Sequence, residues 1–432
     1  MKVALTTLGC KLNYAETSTY ERGFVARGWE VVPWKEKADV YLVNTCAVTE
    51  TAEKKSRNLI RRAHKTAPDA VIIVTGCYAE LKKEKLYDIE GVSRVFGASE
   101  KTRVVSETLS MLQEIPGQAG NDDSRSGKER VMPGPDRASA DTLPAYSTGE
   151  RTRSFLKVQD GCNNFCAYCT VPYARGRSRN IAICEVVKQA RQIAADGVRE
   201  IVLTGVNTGD FGRTTGESFL DLLKALNEVE GIRRYRISSI EPNLITEEIV
   251  DWIASGTKFQ RHFHIPLQVG SDELLKKVGR RYDTALFASR IDYIRKAMEH
   301  PGEPKVFFGI DVIVGLPGET EELFLETYNF RKDRIRPAFI HVFPYSRRPG
   351  TRAAVMPDQV QDSVKTERVA RLEALCAHLH DAFVAENKGL PENVLWESSV
   401  RDGLMAGYTG NYIRVEKPYD PALVNQIETI IL

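Results

Sequence analysis

FLKVQDGCNNFCAYC, residues 155–169, joins a short strand-like run to three cysteines. Phe155–Gln159 reads as a β-strand, and Cys162, Cys166 and Cys169 follow it with three and then two residues between them. Three thiolates can hold a cubane iron–sulfur cluster and leave one iron without a protein ligand. A closed structural zinc site takes four ligands, and no fourth cysteine or histidine lies nearby; Cys184 opens the next predicted helix. An open-iron cluster is the favoured reading, with a zinc knuckle borrowing a distant ligand as its rival.

Outward from this stretch, residues 151–380 alternate strand and helix patterns. Further strands are predicted at Glu200–Thr204, Tyr235–Ile240, His262–Pro266, Phe307–Val314 and Phe339–Phe343, with helices such as Cys184–Ala195, Phe219–Val229, Ala285–Glu299 and Glu321–Arg334 between them. Six such units predict a partial (βα)6 barrel with its site at the carboxyl ends of the strands, where the cysteines fall. Residues 364–386 read as a connecting amphipathic helix. VLWESS, GYTGNYIRVEK and VNQIETIIL then form a small β module over 381–432.

Residues 1–112 carry a second cysteine pattern. KVALTTL, DVYLVNT and AVIIVTG are strand-like runs leading to Cys10, Cys46 and Cys77, with helices expected at Ala15–Arg27, Glu50–Lys65 and Ala79–Leu86. The alternation predicts an α/β domain with a parallel sheet, whose post-strand loops open on one edge. Three cysteines distant in sequence therefore converge, as a second three-thiolate site or as core residues capping strand ends.

Lys and Arg total 60 against 58 Asp and Glu, so net charge makes no case for a polyanionic partner. Local patches do. Residues 50–65 carry Lys54, Lys55, Arg57, Arg61, Arg62 and Lys65 against Glu50 and Glu53, and Lys54, Arg57, Arg61 and Lys65 share one helix face. That stripe suits phosphates; the plainer reading is a solvated face. Arg175, Arg177 and Arg179 form a second basic group. From 113 to 150 the chain turns rich in Gly, Pro, Ser, Asp and Arg, the composition of a flexible linker. No stretch has the length of a membrane span, and the first residues are too soon polar for a signal peptide. Eight cysteines without such a signal predict a reducing, cytoplasmic setting.

The spacing of Cys162, Cys166 and Cys169, with Tyr168 in an aromatic slot, resembles the signature of radical S-adenosylmethionine (SAM) enzymes. TLGCKLN, NTCAVTE, TGCYAE, QDGCNNFCAYCTVPYARGRSRN, LTGVNTG, SSIEP, HIPLQ, RRYD, DVIVGLPGE and HVFPYS, in that order, resemble the motifs of the methylthiotransferase family. The resemblance implies two 4Fe–4S clusters. Cys162, Cys166 and Cys169 would ligate the one that binds SAM and generates a 5′-deoxyadenosyl radical; Cys10, Cys46 and Cys77 would ligate an auxiliary cluster carrying sulfur. It also implies a SAM cleft built from Tyr168, Thr204, Gly205, Val206, Ser239, Glu241, His264, Gln268, Ile313, Val314 and Gly315, with Arg175, Arg177 and Arg179 near the substrate. The terminal module resembles a TRAM domain, although its acids outnumber its bases.

TLGCKLN, NTCAVTETAEKKSR, GCYAE and SSIEP look most like the MtaB-type branch, which implies methylthiolation of N6-threonylcarbamoyladenosine at tRNA position 37. Alternatives are isopentenyladenosine in tRNA, a ribosomal-protein aspartate, or a non-catalytic zinc-stabilised RNA-binding protein. Implied partners are tRNA, a sulfur source and an electron donor such as flavodoxin or ferredoxin, with no membrane. Val269 and Val278 depart from the family's usual serine and methionine. His262 and His264 share a strand face and could be read as metal ligands. His378 and His380 read as structural, and Cys184 and Cys376 as core.

Overall fold

The computed structural model describes residues 1–113, 142–149 and 152–432. Near the start, β1 (Lys2–Thr7), β2 (Glu30–Val31), β3 (Val40–Thr45), β4 (Val71–Gly76) and β5 (Val92–Val95) form a parallel sheet in the order β2-β1-β3-β4-β5. The three expected strands occupy its centre, where both faces are covered and the sequence is continuously apolar. Edge strands β2 and β5 escape a sequence reading because they are short and partly polar. Since β1, β3 and β4 are neighbours, Cys10, Cys46 and Cys77 all emerge from one sheet edge.

Helix α1 (Lys11–Val25) begins at Cys10, its N-cap, earlier than the expected Ala15. The reason is Asn13, whose side-chain amide donates to the Leu8 carbonyl at 2.8 Å and the Thr45 carbonyl at 3.0 Å, fastening the first turn to the strand ends. Helix α2 spans Glu50–Thr66, capped by the Thr49 hydroxyl, and α3 (Cys77–Leu81) is separated from a further short helix, Lys83–Tyr87, within the expected Ala79–Leu86.

The second sheet contains β6 (Arg153–Lys157), β9 (Glu200–Thr204), β10 (Arg234–Ile237), β11 (Phe259–His264), β12 (Phe307–Val314) and β13 (Phe339–Pro344); a two-stranded ribbon, β7 (Gln159–Asp160) with β8 (Arg179–Asn180), follows β6. Its six strands are parallel and ordered β13-β12-β11-β10-β9-β6, the open half of a barrel with helices outside. A large apolar core joins these strands to the helices.

Helix Asp362–Glu386 packs on β13 and leads into β14 (Pro391–Arg401), β15 (Leu404–Thr409), β16 (Arg414–Pro418) and β17 (Ile427–Ile431), an antiparallel curled half-barrel ordered β16-β15-β14-β17. Two arginines of β10 bind it to the six-stranded sheet. Arg234 donates to the Tyr408 carbonyl at 3.0 Å, and Arg236 to the carbonyls of Thr409 and Gly410 at 2.8 Å each.

Most of the expected linker, 113–150, lies outside the described residues. Its last part corrects the expectation. Ser147 donates its N–H to the Phe155 carbonyl, Lys157 donates to the Ala145 carbonyl, and Ala145 is fully buried, so residues 142–149 run as an ordered edge beside β6. Arg22 of α1 stacks on Tyr146 and donates to the Thr148 hydroxyl, tying this edge to the first sheet. Among the described residues no helix is long and apolar enough to cross a membrane.

Candidate active site

Cys162, Cys166 and Cys169 sit in a loop at the carboxyl end of β6, and all three line a cavity of about 320 Å³. Phe165 takes a left-handed φ of +49°, an unfavourable conformation for an aromatic residue, and turns the chain between the first two cysteines. Each sulfur has a hydrogen-bond donor: the Asn164 N–H to Cys162 at 3.5 Å, the Val171 N–H to Cys169 at 3.4 Å, and the Arg280 guanidinium to Cys166 at 3.3 Å. Such donors stabilise negative charge on sulfur and tune a bound cluster. Burial pushes the Cys162 thiol up to about 11 and raises Cys169 further. Burial thus disfavours bare thiolates at Cys162 and Cys169, a cost that a bound metal would offset. Three convergent sulfurs, each with a donor, fit a three-thiolate iron–sulfur cluster.

Tyr168, Val206, Ser239, Glu241, Gln268 and Ile313 line the same cavity. Glu241 is 5% exposed and accepts from Arg280 at 2.7 Å, so one guanidinium spans the cluster loop and the far wall. Gln268, at φ +65°, is held by its backbone: its N–H donates to the Asp311 carbonyl, and its carbonyl accepts from the Ile313 N–H. Thr204, Gly205, His264, Val314 and Gly315 do not line it. A Cβ at Gly205 would lie 2.9 Å from the Gln159 amide oxygen, which accepts from the N–H groups of Val206 and Asn207 and thereby shapes the turn. A Cβ at Gly315 would collide with the Lys365 side chain. His264 stands behind the cavity wall with Nε2 2.9 Å from the Asp311 carboxylate, its ring stacked on His341. These three side chains place possible ligand atoms within 4.8 Å of one another. His262 is not in that set; it stacks on Phe307, and burial holds it neutral by depressing its pKa.

The other cysteines converge as the sheet order requires. A Cβ at Gly9 (φ +102°) would lie 2.8 Å from the Cys46 Cβ, and one at Gly76 (φ +99°) 2.3 Å from the Thr45 carbonyl oxygen; only glycine lets these loops close on one another. Burial and the neighbouring Cys77 push the Cys46 thiol up to about 11, while Cys77 is raised by burial. Cys10 remains exposed.

Behind these cysteines is a buried ion network that sequence reading did not anticipate. Glu16 of α1 is fully buried and receives Lys101 at 2.9 Å, Lys157 at 2.8 Å and Arg175 at 3.3 Å. Asp160 takes Lys157 at 2.7 Å and Arg175 at 2.9 Å, with Arg179 at 3.6 Å. Despite burial, these cations hold the Glu16 and Asp160 carboxyls below the usual carboxylate range. Cys77 and Cys10 in turn raise the Arg175 pKa, behind the carboxylates of Asp160 and Glu16, so positive charge lies beside the first-sheet cysteines. That charge suits an anionic thiolate-ligated cluster.

Arg175 is thus a correction: expected near substrate, it is 2% exposed and committed to Glu16, Asp160 and Asn13. Arg179 is half-buried in the same network, and Arg177 is exposed over the Phe165 ring. Cys184 is also corrected, being exposed rather than core, whereas Cys376 is buried and accepts from the Ile340 N–H.

A second cavity, of about 520 Å³, lies between the three sheets. Gly9, Cys10, Lys11 and Tyr14 line it from the first, Arg153, Arg236 and His262 from the second, and Glu397, Ser398, Ser399 and Tyr412 from the half-barrel side.

Sequence comparisons agree with this geometry. Residues 2–97 match the model of "Uncharacterized protein family UPF0004" and residues 156–331 that of the Radical SAM superfamily. A Bacillus subtilis threonylcarbamoyladenosine tRNA methylthiotransferase MtaB is 42% identical over 96% of this chain and 89% of its own length. The Aquifex aeolicus protein of the same name is 35% identical over 96% of this chain and all of its own. A tRNA-2-methylthio-N(6)-dimethylallyladenosine synthase from Alkaliphilus oremlandii is 33% identical, covering 99% and 89%. Among solved structures, the radical SAM methyltransferase TsrM from Kitasatospora setae superposes with a TM-score of 0.61 at 16% identity, covering 82% of this chain and 75% of that one, a likeness of fold.

Proposed function

The chain belongs to the radical SAM methylthiotransferase family, in its MtaB-type branch, and from that premise we propose that it methylthiolates the adenine of N6-threonylcarbamoyladenosine at tRNA position 37. The observation that carries this reading is that Cys162, Cys166 and Cys169 line one cavity, while Cys10, brought close to Cys46 and Cys77 at the end of the first sheet, lines another. The cofactors are two 4Fe–4S clusters and SAM. Cys162, Cys166 and Cys169 would hold the cluster that takes SAM, and Cys10, Cys46 and Cys77 the auxiliary one. When bound, one cluster with SAM supplies hydrogen abstraction, a second SAM the methyl group and the auxiliary cluster the sulfur.

The chain's own residues position and shield these groups. Arg280 donates to Cys166 and fixes Glu241, which lines the cavity beside Ser239 where ribose hydroxyls would lie. Tyr168, Val206, Ile313 and Phe343 give this cavity apolar walls that exclude water from a reactive intermediate. Electrons would come from a donor such as flavodoxin or ferredoxin, and replacement sulfur from a separate source.

For tRNA, α2 offers exposed Lys54, Lys55, Arg61, Arg62 and Lys65, whereas Arg57 turns inward to the Tyr78 hydroxyl. Replacing Lys54, Arg61 and Lys65 together by alanine is expected to weaken tRNA binding about tenfold or more and to flatten its log–log salt dependence by about 2–3. Unchanged salt dependence would make the stripe a solvated face only.

The whole reading is tested by mass spectrometry of tRNA nucleosides from cells with and without this gene. Loss of the methylthio form of threonylcarbamoyladenosine is the expected result. Loss of methylthio-isopentenyladenosine instead would keep the reaction and overturn the substrate.

A further inference from the structure

The 520 Å³ cavity beside Cys10 has the volume of a nucleoside-sized site, and three cations line it. Two of them are fully engaged. Arg236 is held by Glu200 at 2.9 Å and by two backbone carbonyls, and Arg153 by Glu397 at 2.5 Å and the Tyr412 hydroxyl at 2.9 Å. Lys11 differs. Among the described residues it has no hydrogen-bond or ion-pair partner, although Asp311, the carboxylate acting on it most strongly, lies within electrostatic reach. Asp311 is itself engaged by His264. Lys11 is also the first residue of α1, a 15-residue helix whose N-terminal N–H groups face the same region, and Cys10 provides no side-chain cap.

Lys11 lines the cavity yet is exposed, so its ammonium is open to an anionic ligand that enters there. The two nucleosides in the relatives' names differ in just this respect. Threonylcarbamoyladenosine ends in a free carboxylate and carries a hydroxyl; dimethylallyladenosine ends in a hydrocarbon. We infer that Lys11 receives the carboxylate of the substrate's threonyl group and so selects it over the uncharged nucleoside, with Ser398 and Ser399 on the same wall available to the hydroxyl. This deepens, and rests on, the substrate assigned above. Because Lys11 adjoins Cys10, the contact would also place the adenine next to the auxiliary cysteines. Arg153 and Arg236, already saturated, shape the wall without competing for the anion.

The anion could instead be a tRNA backbone phosphate, so the test compares two anticodon stem-loops of identical sequence. One carries threonylcarbamoyladenosine, the other its neutral carboxamide. Binding is measured by fluorescence anisotropy, and methylthiolation by nucleoside mass spectrometry, on reconstituted protein matched for iron content. The wild type is expected to bind the carboxylate form about tenfold tighter. Lys11→Met should remove that ratio and Lys11→Arg should largely keep it. A ratio near one in the wild type, with the carboxylate form still methylthiolated, would overturn the inference and assign Lys11 to a phosphate or to no ligand. So would a ratio preserved in Lys11→Met. If the wild type ignores both stem-loops but modifies one carrying isopentenyladenosine, the substrate assignment itself has failed.

Discussion

Cys166→Ala is expected to abolish cleavage of SAM to 5′-deoxyadenosine, by more than about a hundredfold, whereas Cys10→Ala should preserve cleavage and remove about half of the iron. The two cysteines differ in what surrounds them. Cys166 is 7% exposed, is engaged by Arg280 and lines the cavity with Glu241 and Tyr168. Cys10 faces the other cavity and shares its electrostatic environment with Cys46 and Cys77. Removing a thiolate from one trio leaves the other trio's sulfurs and donors in place. The checks are iron content per chain, about eight atoms in the anaerobically reconstituted wild type, and product formation with a chemical reductant. Equal loss of cleavage in both variants would contradict the division of labour between the loops. Colourless wild-type protein containing only zinc would contradict both clusters.

Glu16→Gln is expected to destabilise the protein by about 3–5 kcal/mol, the usual cost of removing one partner from a buried charge network. Glutamine keeps the shape but leaves Lys101, Lys157 and Arg175 with Asp160 as their remaining buried carboxylate. The change should appear as a lower unfolding midpoint and faster hydrogen exchange in α1 and β6, with loss of iron from the Cys10, Cys46 and Cys77 site. Adding Lys101→Met should restore part of the stability, because it removes one orphaned cation. Wild-type exchange in α1 would show that the network does not hold the two sheets together.

Central strands were legible where buried parallel strands carry apolar runs that need no partner to be recognised: the three strands that lead into Cys10, Cys46 and Cys77, and β12 in the second sheet. β10 and β11 alternate arginine, glutamine and histidine with apolar residues, and β11 runs from Phe259 to His264 rather than over the expected His262–Pro266. Edge strands β2 and β5 were not legible, having little apolar surface to bury. The cysteine trios were readable from spacing and topology. The ion network behind them was not, since Glu16 finds Lys101 and Lys157 at separations of 85 and 141 residues, which leaves no local pattern. One signal was available: Lys157 stands between the apolar Leu156 and Val158 in a strand-like run, and a lysine buried there requires a carboxylate. Arg280 was visible within RRYD, but its reach to Cys166 spans 114 residues and depends on how the barrel closes. Arg175 misled for the opposite reason. A basic cluster beside a cofactor loop looks like a substrate contact until one of its members proves to be buried.

The Glu16 network also limits how such a protein can be recombined. Glu16 and Lys101 belong to the first sheet's domain, while Lys157, Asp160 and Arg175 belong to the barrel. Glu16 and Lys101 pair with each other, but on the barrel side the cations Lys157, Arg175 and Arg179 share the single carboxylate Asp160 and draw on Glu16 for the rest. A chimera joining this barrel to a first domain without a carboxylate at the Glu16 position would bury cations against too little negative charge, however well each half folds alone. The two halves are therefore exchangeable only as a charge-matched pair, and substitutions on one side of the seam should be tolerated chiefly when compensated on the other.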